Sequence, residues 1–174
     1  VYMVSPDGTR LASPCLLRTA HTQPGYGAVV LPRFLPYNNR ASQDDGVFMT
    51  DAKSGETGLF ISMKEITQGL GDKLTASFAN LGVEFADYDL YGFHVKWNES
   101  GNKLLFVVRA RRGDTNVKLV NFVVTVDVST RTPFLAMPPD IWSRGGHHPQ
   151  WHPDGEHVIM NLKYPEKDLR FVQY

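Results

Sequence analysis

A single cysteine, Cys15, is present in 174 residues, so the chain can form no internal disulfide and no thiolate zinc site. Neither sign of charge is in excess: 18 Lys and Arg face 18 Asp and Glu. A balanced chain lacks the basic footprint that nucleic acid or an anionic membrane surface would require. No apolar run approaches the roughly 18 residues of a membrane span, which excludes helical insertion. Gly-x-Ser-x-Gly, a Walker loop, His-Glu-x-x-His and a dinucleotide fingerprint are all missing. Asp44-Asp45-Gly46 is too short for a calcium loop and reads as a turn into a strand. Val1 opens the chain without Met, a basic segment or a signal-like run. The expectation is a piece of something longer, with periplasm and cytoplasm both open as compartments.

What is present is a repeat. Gly92-Phe93-His94-Val95-Lys96-Trp97-Asn98-Glu99-Ser100-Gly101 aligns with Gly146-His147-His148-Pro149-Gln150-Trp151-His152-Pro153-Asp154-Gly155. Gly, His, Trp and the turn Gly coincide. Ser5-Pro6-Asp7-Gly8 is a third copy without the upstream His. Each copy reads as strand, tight turn, strand, because Asp-Gly or Ser-Gly between apolar runs supplies the positive φ of a short hairpin. A second hairpin follows the first two copies, at residues 46–61 and 121–135. Two hairpins make a four-stranded antiparallel unit, and its recurrence at about 40 to 50 residues marks a β-propeller.

The predicted fold class is therefore all-β: a partial β-propeller of about two and a half blades, since rings close with about four to eight. The blades fall at 1–64, 92–138 and 146–174, and the rest of the ring lies outside this chain. Residues 19–42, rich in Pro and Gly, form a long loop within the first blade, a length that suggests function. Ser62-Met63-Lys64-Glu65 is a capping box, so a short helix starts there and ends near Gly69 and Gly71. The insertion 65–91 carries Phe78, Phe85 and Tyr88, with Tyr91 at its end. Such an insertion on one face of a propeller is expected to build a binding surface.

The Ser5-Pro6-Asp7-Gly8-Thr9-Arg10-Leu11-Ala12 and Trp151-His152-Pro153-Asp154-Gly155 segments resemble the Ser-Pro-Asp-Gly repeats of TolB-type propellers. That group includes the oligogalacturonate lyases. The resemblance covers the three hairpin copies, under half of the chain. It implies the propeller fold and, more loosely, a polysaccharide or oligosaccharide lyase that acts on uronate-containing glycans by β-elimination. In those lyases a histidine cluster with a glutamine holds a divalent, manganese-like metal at the channel mouth. By residue type and repeat position the resemblance carries over His94, His148 and Gln150 as metal ligands.

The residues themselves suggest partners for that chemistry. First strands of successive blades begin at one channel mouth, so His94 and His148 should converge there, able to bind a metal or act as base. The bland alternative is that the pair hydrogen-bonds between blades. In an extended strand His147 faces away from His148, while Gln150 and His152 share the side of His148. His152 belongs to the turn and His157 to the strand surface. Removing a proton beside a uronate carboxylate needs charge neutralisation and a base. Arg18, His21, Tyr26 and Arg109 are the candidate catalytic residues, and Arg111, Trp142 and Arg144 candidates for substrate contact. The alternative for the Arg residues is an ordinary solvated strand end, and for Trp142 loop packing. Trp97 and Trp151 share a repeat position and read as core between blades. Two functions follow: a lyase whose partner is an acidic oligosaccharide, or a non-catalytic TolB-like scaffold with a protein or glycan partner.

Overall fold

The computed structural model describes residues 3–113, 119–163, 165 and 168–173. Its strands form three antiparallel meanders taken strictly in chain order. The first sheet is β1 (Met3–Val4), β2 (Arg10–Pro14), β3 (Gly46–Asp51) and β4 (Thr57–Ser62). The second is β5 (Asp89–Trp97), β6 (Lys103–Arg111), β7 (Val120–Asp127) and β8 (Pro133–Met137). The third is β9 (Gly146–Trp151), β10 (Val158–Leu162) and β11 (Arg170–Gln173). Mostly-β architecture is as the hairpin pattern demands. No sheet closes on itself among the described residues.

The three repeat copies take one turn geometry. Gly8, Gly101 and Gly155 close the first hairpin of each sheet at φ 72°, 70° and 71°. Those values lie in the left-handed region, where a β-carbon is disfavoured, so Asp-Gly and Ser-Gly at these points are hairpin determinants.

Burial explains the runs of apolar residues. The middle sheet is covered on both faces, so β6 is apolar at nearly every position. Leu104, Phe106, Val108 and Ala110 pack toward the first sheet, while Leu105 and Val107 pack with Trp151, Val158 and Met160 of the third. Trp97 sits in the first of these cores and Trp151 in the second, as the repeat predicts for residues between sheets.

Two helices complete the first core. Helix α1 (Met63–Leu70) begins at the capping box: Ser62 accepts from the Glu65 N–H, and Glu65 accepts from the Ser62 N–H at 2.8 Å. Gly71 ends it, and a second helix not foreseen, α2 (Asp72–Ala79), follows directly. Ile66, Leu70, Leu74 and Phe78 are their buried face. Phe78 meets Phe85, Tyr88 and Phe122 edge-on at 5.1, 5.3 and 6.3 Å. The aromatic residues of 65–91 thus form core and not an exposed binding surface: Phe78 and Tyr88 are buried, and Phe85 packs against them. A short helix, α3 (Pro139–Trp142), links the second and third sheets. No helix among the described residues is long and apolar enough to cross a membrane.

Candidate functional site

The site begins with two bulges. On β5, Gly92 pairs with Val108 and His94 with Val107, so Phe93 is an extra residue in the ladder. On β9, His147 pairs with Asn161 and Gln150 with Ile159, a second bulge slightly further along the corresponding strand. A bulge resets the alternation of side chains. Phe93 and His94 therefore come to one side, with their rings stacked at 3.8 Å. His147 and His148 do likewise, edge-on at 4.6 Å, and His148 adopts φ 60° to do so.

This corrects the expected facing of these residues. Strict alternation predicts His147 opposite His148, and Gln150 beside His148. Instead His147 and His148 both line one cleft and Gln150 does not. The carbonyls displaced at the bulges find side-chain donors. Thr19 Oγ1 donates to the Gly92 carbonyl at 3.2 Å, and Lys96 Nζ to the Pro149 carbonyl at 2.6 Å.

The cleft, about 450 Å³, opens between the second and third sheets under the loop that joins β2 to β3. Its walls are Gln23, Tyr26, Phe93, His94, Lys96, Val107, Arg109, Asn121, Trp142, Gly146, His147, His148 and Pro149. That set contains an Arg, a Lys and three His, and no carboxylate. The loop is pinned by Arg109, whose Nη1 donates to the Thr22 carbonyl at 2.9 Å and to Gln23 Oε1.

Phe93 is the centre of the arrangement. The Arg109 guanidinium carbon lies 3.5 Å from its ring centroid, and the His94 ring 3.8 Å from the same point. Two groups that close to one centroid cannot share a face, so Phe93 is sandwiched between cation and imidazole. Tyr26 approaches the same ring at 5.5 Å.

Burial sets the charges. It pushes the His94 pKa down to about 4, with the positive charges of Lys96 and Arg109 acting in the same direction, so the imidazole is neutral near pH 7. Burial lowers Lys96 as well, and brings Arg109 down to about 10, still protonated at neutral pH. With Nη1 committed to the loop, Arg109 Nε is buried without a hydrogen-bond partner. Nε and Nη2 form the edge of a guanidinium that grips a carboxylate with two parallel hydrogen bonds.

Five of the ten predicted residues meet here: Tyr26, His94, Arg109, Trp142 and His148. Trp142 is half-buried, its indole N–H held by the Gly146 carbonyl at 2.9 Å, which makes it a fixed wall. Arg18 is elsewhere. It is buried and paired with Asp44 at 2.9 Å; burial opposes its charge, and the Asp44 and Asp45 carboxylates more than offset that and raise its pKa. His21 also stands outside the cleft, packed 4.1 Å from Tyr37 and 5.3 Å from Tyr91, with Nε2 3.1 Å from the Pro36 carbonyl. Arg111 donates to the His21 carbonyl at 3.4 Å, and Arg144 is exposed outside the cleft walls. Gln150 is exposed, its Oε1 accepting from the Trp151 N–H at 3.3 Å.

Residues that the sequence reading missed are Gln23, Phe93, Lys96, Asn121 and His147. Phe93 and His147 share a repeat position, the one signal that could have paired them. The cleft donors fit an anion better than a divalent cation. His94 and His148 are present, but no set of three His, Cys, Asp or Glu gathers for a metal among the described residues. Lys96 and Arg109 beside His94 would repel a metal ion. No protein-family model matches the chain, and no curated protein sequence matches it.

Proposed function

We propose that the three sheets are successive blades of a β-propeller of the TolB type, and that the cleft between the second and third binds a carboxylated sugar. Recurrence supports the propeller: the same turn φ and the same Trp contact between sheets each appear at one repeat position, and a bulge recurs in the corresponding strand. The observation that carries the ligand reading is the wall composition. Partly buried Arg109 and Lys96 share a cleft with no carboxylate to neutralise them, and the carboxylate-gripping edge of Arg109 is unpaired at Nε. Burying a cation without a counter-charge is costly, and an anionic ligand removes that cost.

The reaction that fits these parts is β-elimination on a uronate. Arg109 neutralises the carboxylate, which acidifies the neighbouring C5–H. Neutral His94 takes that proton; the C–H electron pair forms the C4=C5 double bond as the C4–O bond breaks. The leaving oxygen takes a proton, for which the Tyr26 hydroxyl on the cleft wall is the candidate. His94 alone is a weak base, but a bound carboxylate offsets the charges of Lys96 and Arg109 and raises its proton affinity when substrate is present.

The test is titration with uronate oligosaccharides while following the ultraviolet absorbance of an unsaturated product. Product formation that disappears in His94→Gln, with binding lost in Arg109→Met, supports the lyase. Binding without product supports the second reading, a non-catalytic glycan-binding scaffold, which is favoured by the engagement of Arg109 Nη1 with the loop. No binding at all removes the carboxylate site.

A further inference from the structure

We infer that Arg109 and Asn121 together select a carboxylate that carries a hydroxyl on the adjacent carbon, with Asn121 as the residue that reads the hydroxyl. This rests on the proposal that the cleft binds a carboxylate, and it goes with the non-catalytic reading of that site, because the ring carbon beside a uronate's C5 is C4, whose oxygen the elimination would expel. Arg109 on β6 and Asn121 on β7 are direct partners in the antiparallel ladder, so their side chains leave the same face side by side. Both line the cleft. Arg109 Nε is a buried donor without an acceptor, and Asn121 Oδ1 is a buried acceptor without a donor. Each such atom destabilises the protein until something pairs with it.

A bare carboxylate can satisfy only the donor, because it offers acceptors alone. The Asn121 oxygen needs an O–H or N–H. An ammonium group is disfavoured by Lys96 and Arg109 nearby, which leaves a neutral donor, and on a sugar ring the commonest is a hydroxyl. The two side chains spring from neighbouring strand positions, so two ligand groups close to each other, as on adjacent ring carbons, can meet both. The terminal amide torsion of Asn is soft, so Oδ1 can turn to meet the hydroxyl without moving the backbone. Sites that hydrogen-bond a hydroxyl reject the analogue that lacks it far more strongly than apolar pockets reject a missing methylene.

The experiment compares 2-hydroxycyclohexanecarboxylate, as both isomers, with cyclohexanecarboxylate, a pair that differs by one hydroxyl. Binding to the wild-type chain and to Asn121→Leu is measured by calorimetry. One hydroxy isomer is expected to bind at least about tenfold more tightly than the hydroxyl-free acid, and Asn121→Leu to reduce that ratio to about twofold or less. Equal wild-type affinity for the two acids, or an undiminished ratio in the variant, overturns the selection by Asn121 and leaves the carboxylate site standing. If neither acid binds, the carboxylate site itself falls, and this inference with it. Should Asn121→Leu not fold, the wild-type comparison still decides the matter, and Asn121→Ala repeats the variant arm.

Discussion

The indole N–H of Trp151 donates to the Lys96 carbonyl at 3.0 Å, and this bond crosses from the third sheet to the second. Trp97 does the same one sheet earlier, donating to the Met3 carbonyl at 3.1 Å. Met3 and Lys96 occupy the same place in the repeat, one residue before the position that Trp97 and Trp151 fill in the later copies. The first strand of each sheet has a ladder partner on one side only, so its outward carbonyls need another donor. The Trp of the next sheet supplies it, and buries a large ring in the same contact.

Replacing either Trp by Phe keeps most of the ring and strands the carbonyl. A loss of about 1–2 kcal/mol is expected from each of Trp97→Phe and Trp151→Phe, read as a lower urea midpoint with an unchanged slope. Similar losses at both positions are the mark of equivalent contacts. A loss at one and none at the other would show that the two sheet junctions are built differently.

Gly92 and Gly146 open the bulged strand segment in their copies, and neither has room for a β-carbon. At Gly92 that carbon would lie 2.8 Å from the Phe106 ring and 2.9 Å from Pro14 Cβ; at Gly146 it would lie 2.5 Å from the Asn161 carbonyl oxygen. Side chains can shift where a paired backbone cannot. Gly146→Ala is therefore expected to cost about 2–3 kcal/mol and Gly92→Ala about 1–2 kcal/mol, measured by thermal or urea unfolding. The reverse order would mean that the first core is the more rigid of the two.

His148 holds φ 60° at its bulge, a conformation that His and Asn tolerate and a β-branched residue does not. His148→Asn should leave stability within about 0.5 kcal/mol of wild type, whereas His148→Val should lose about 1–2 kcal/mol. Unfolding midpoints decide this, and they also qualify His148→Asn as the variant that removes the imidazole without disturbing the strand. Equal stability of the two variants would argue against the left-handed backbone.

The parts of this molecule legible in the sequence are those set by local chemistry. Turn glycines, the Ser62 to Glu65 capping box, the burial of Trp97 and Trp151 and the order of the hairpins each follow from a few adjacent residues. The cleft was legible only in part. His94 and His148 stood out by repeat position, but alternation along a strand gave the wrong facing for His147 and Gln150, because a bulge is a register event between two strands and leaves little trace in either one. Nearness in sequence groups Arg18 and His21 with Tyr26. The loop folds through a single helical turn at Arg18–His21 that pairs Arg18 with Asp44 and sends only Gln23 and Tyr26 to the cleft. Lys96 and Asn121 carry no motif at all. Their significance comes from which charges and which lone pairs the second and third sheets leave without partners.

The pH dependence of stability provides a last check on the cleft. The His94 pKa is depressed to about 4 from an ordinary 6.5, chiefly by burial. Between those two values the unfolded chain binds a proton at this residue and the folded chain does not, so stability from this group is fully present above pH 6.5 and is lost as pH falls toward 4. The site is partly open to solvent, so a discounted loss of about 1–2 kcal/mol is expected across that window. Burial raises the Asp45 carboxyl, so that group also takes up protons in mild acid, whereas backbone N–H groups of Glu156 and His157 depress Asp154, which acts at lower pH. The informative quantity is therefore the difference between wild type and His94→Gln, measured by urea unfolding at pH 7, 5.5 and 4.5. The wild type should lose more stability than the variant as pH falls. Adding cyclohexanecarboxylate should narrow the gap, because a bound anion offsets Lys96 and Arg109 and lets His94 keep its proton in the folded state. Parallel pH profiles for the two proteins would mean that His94 is already solvated, and that its neutrality at pH 7 owes nothing to the cleft.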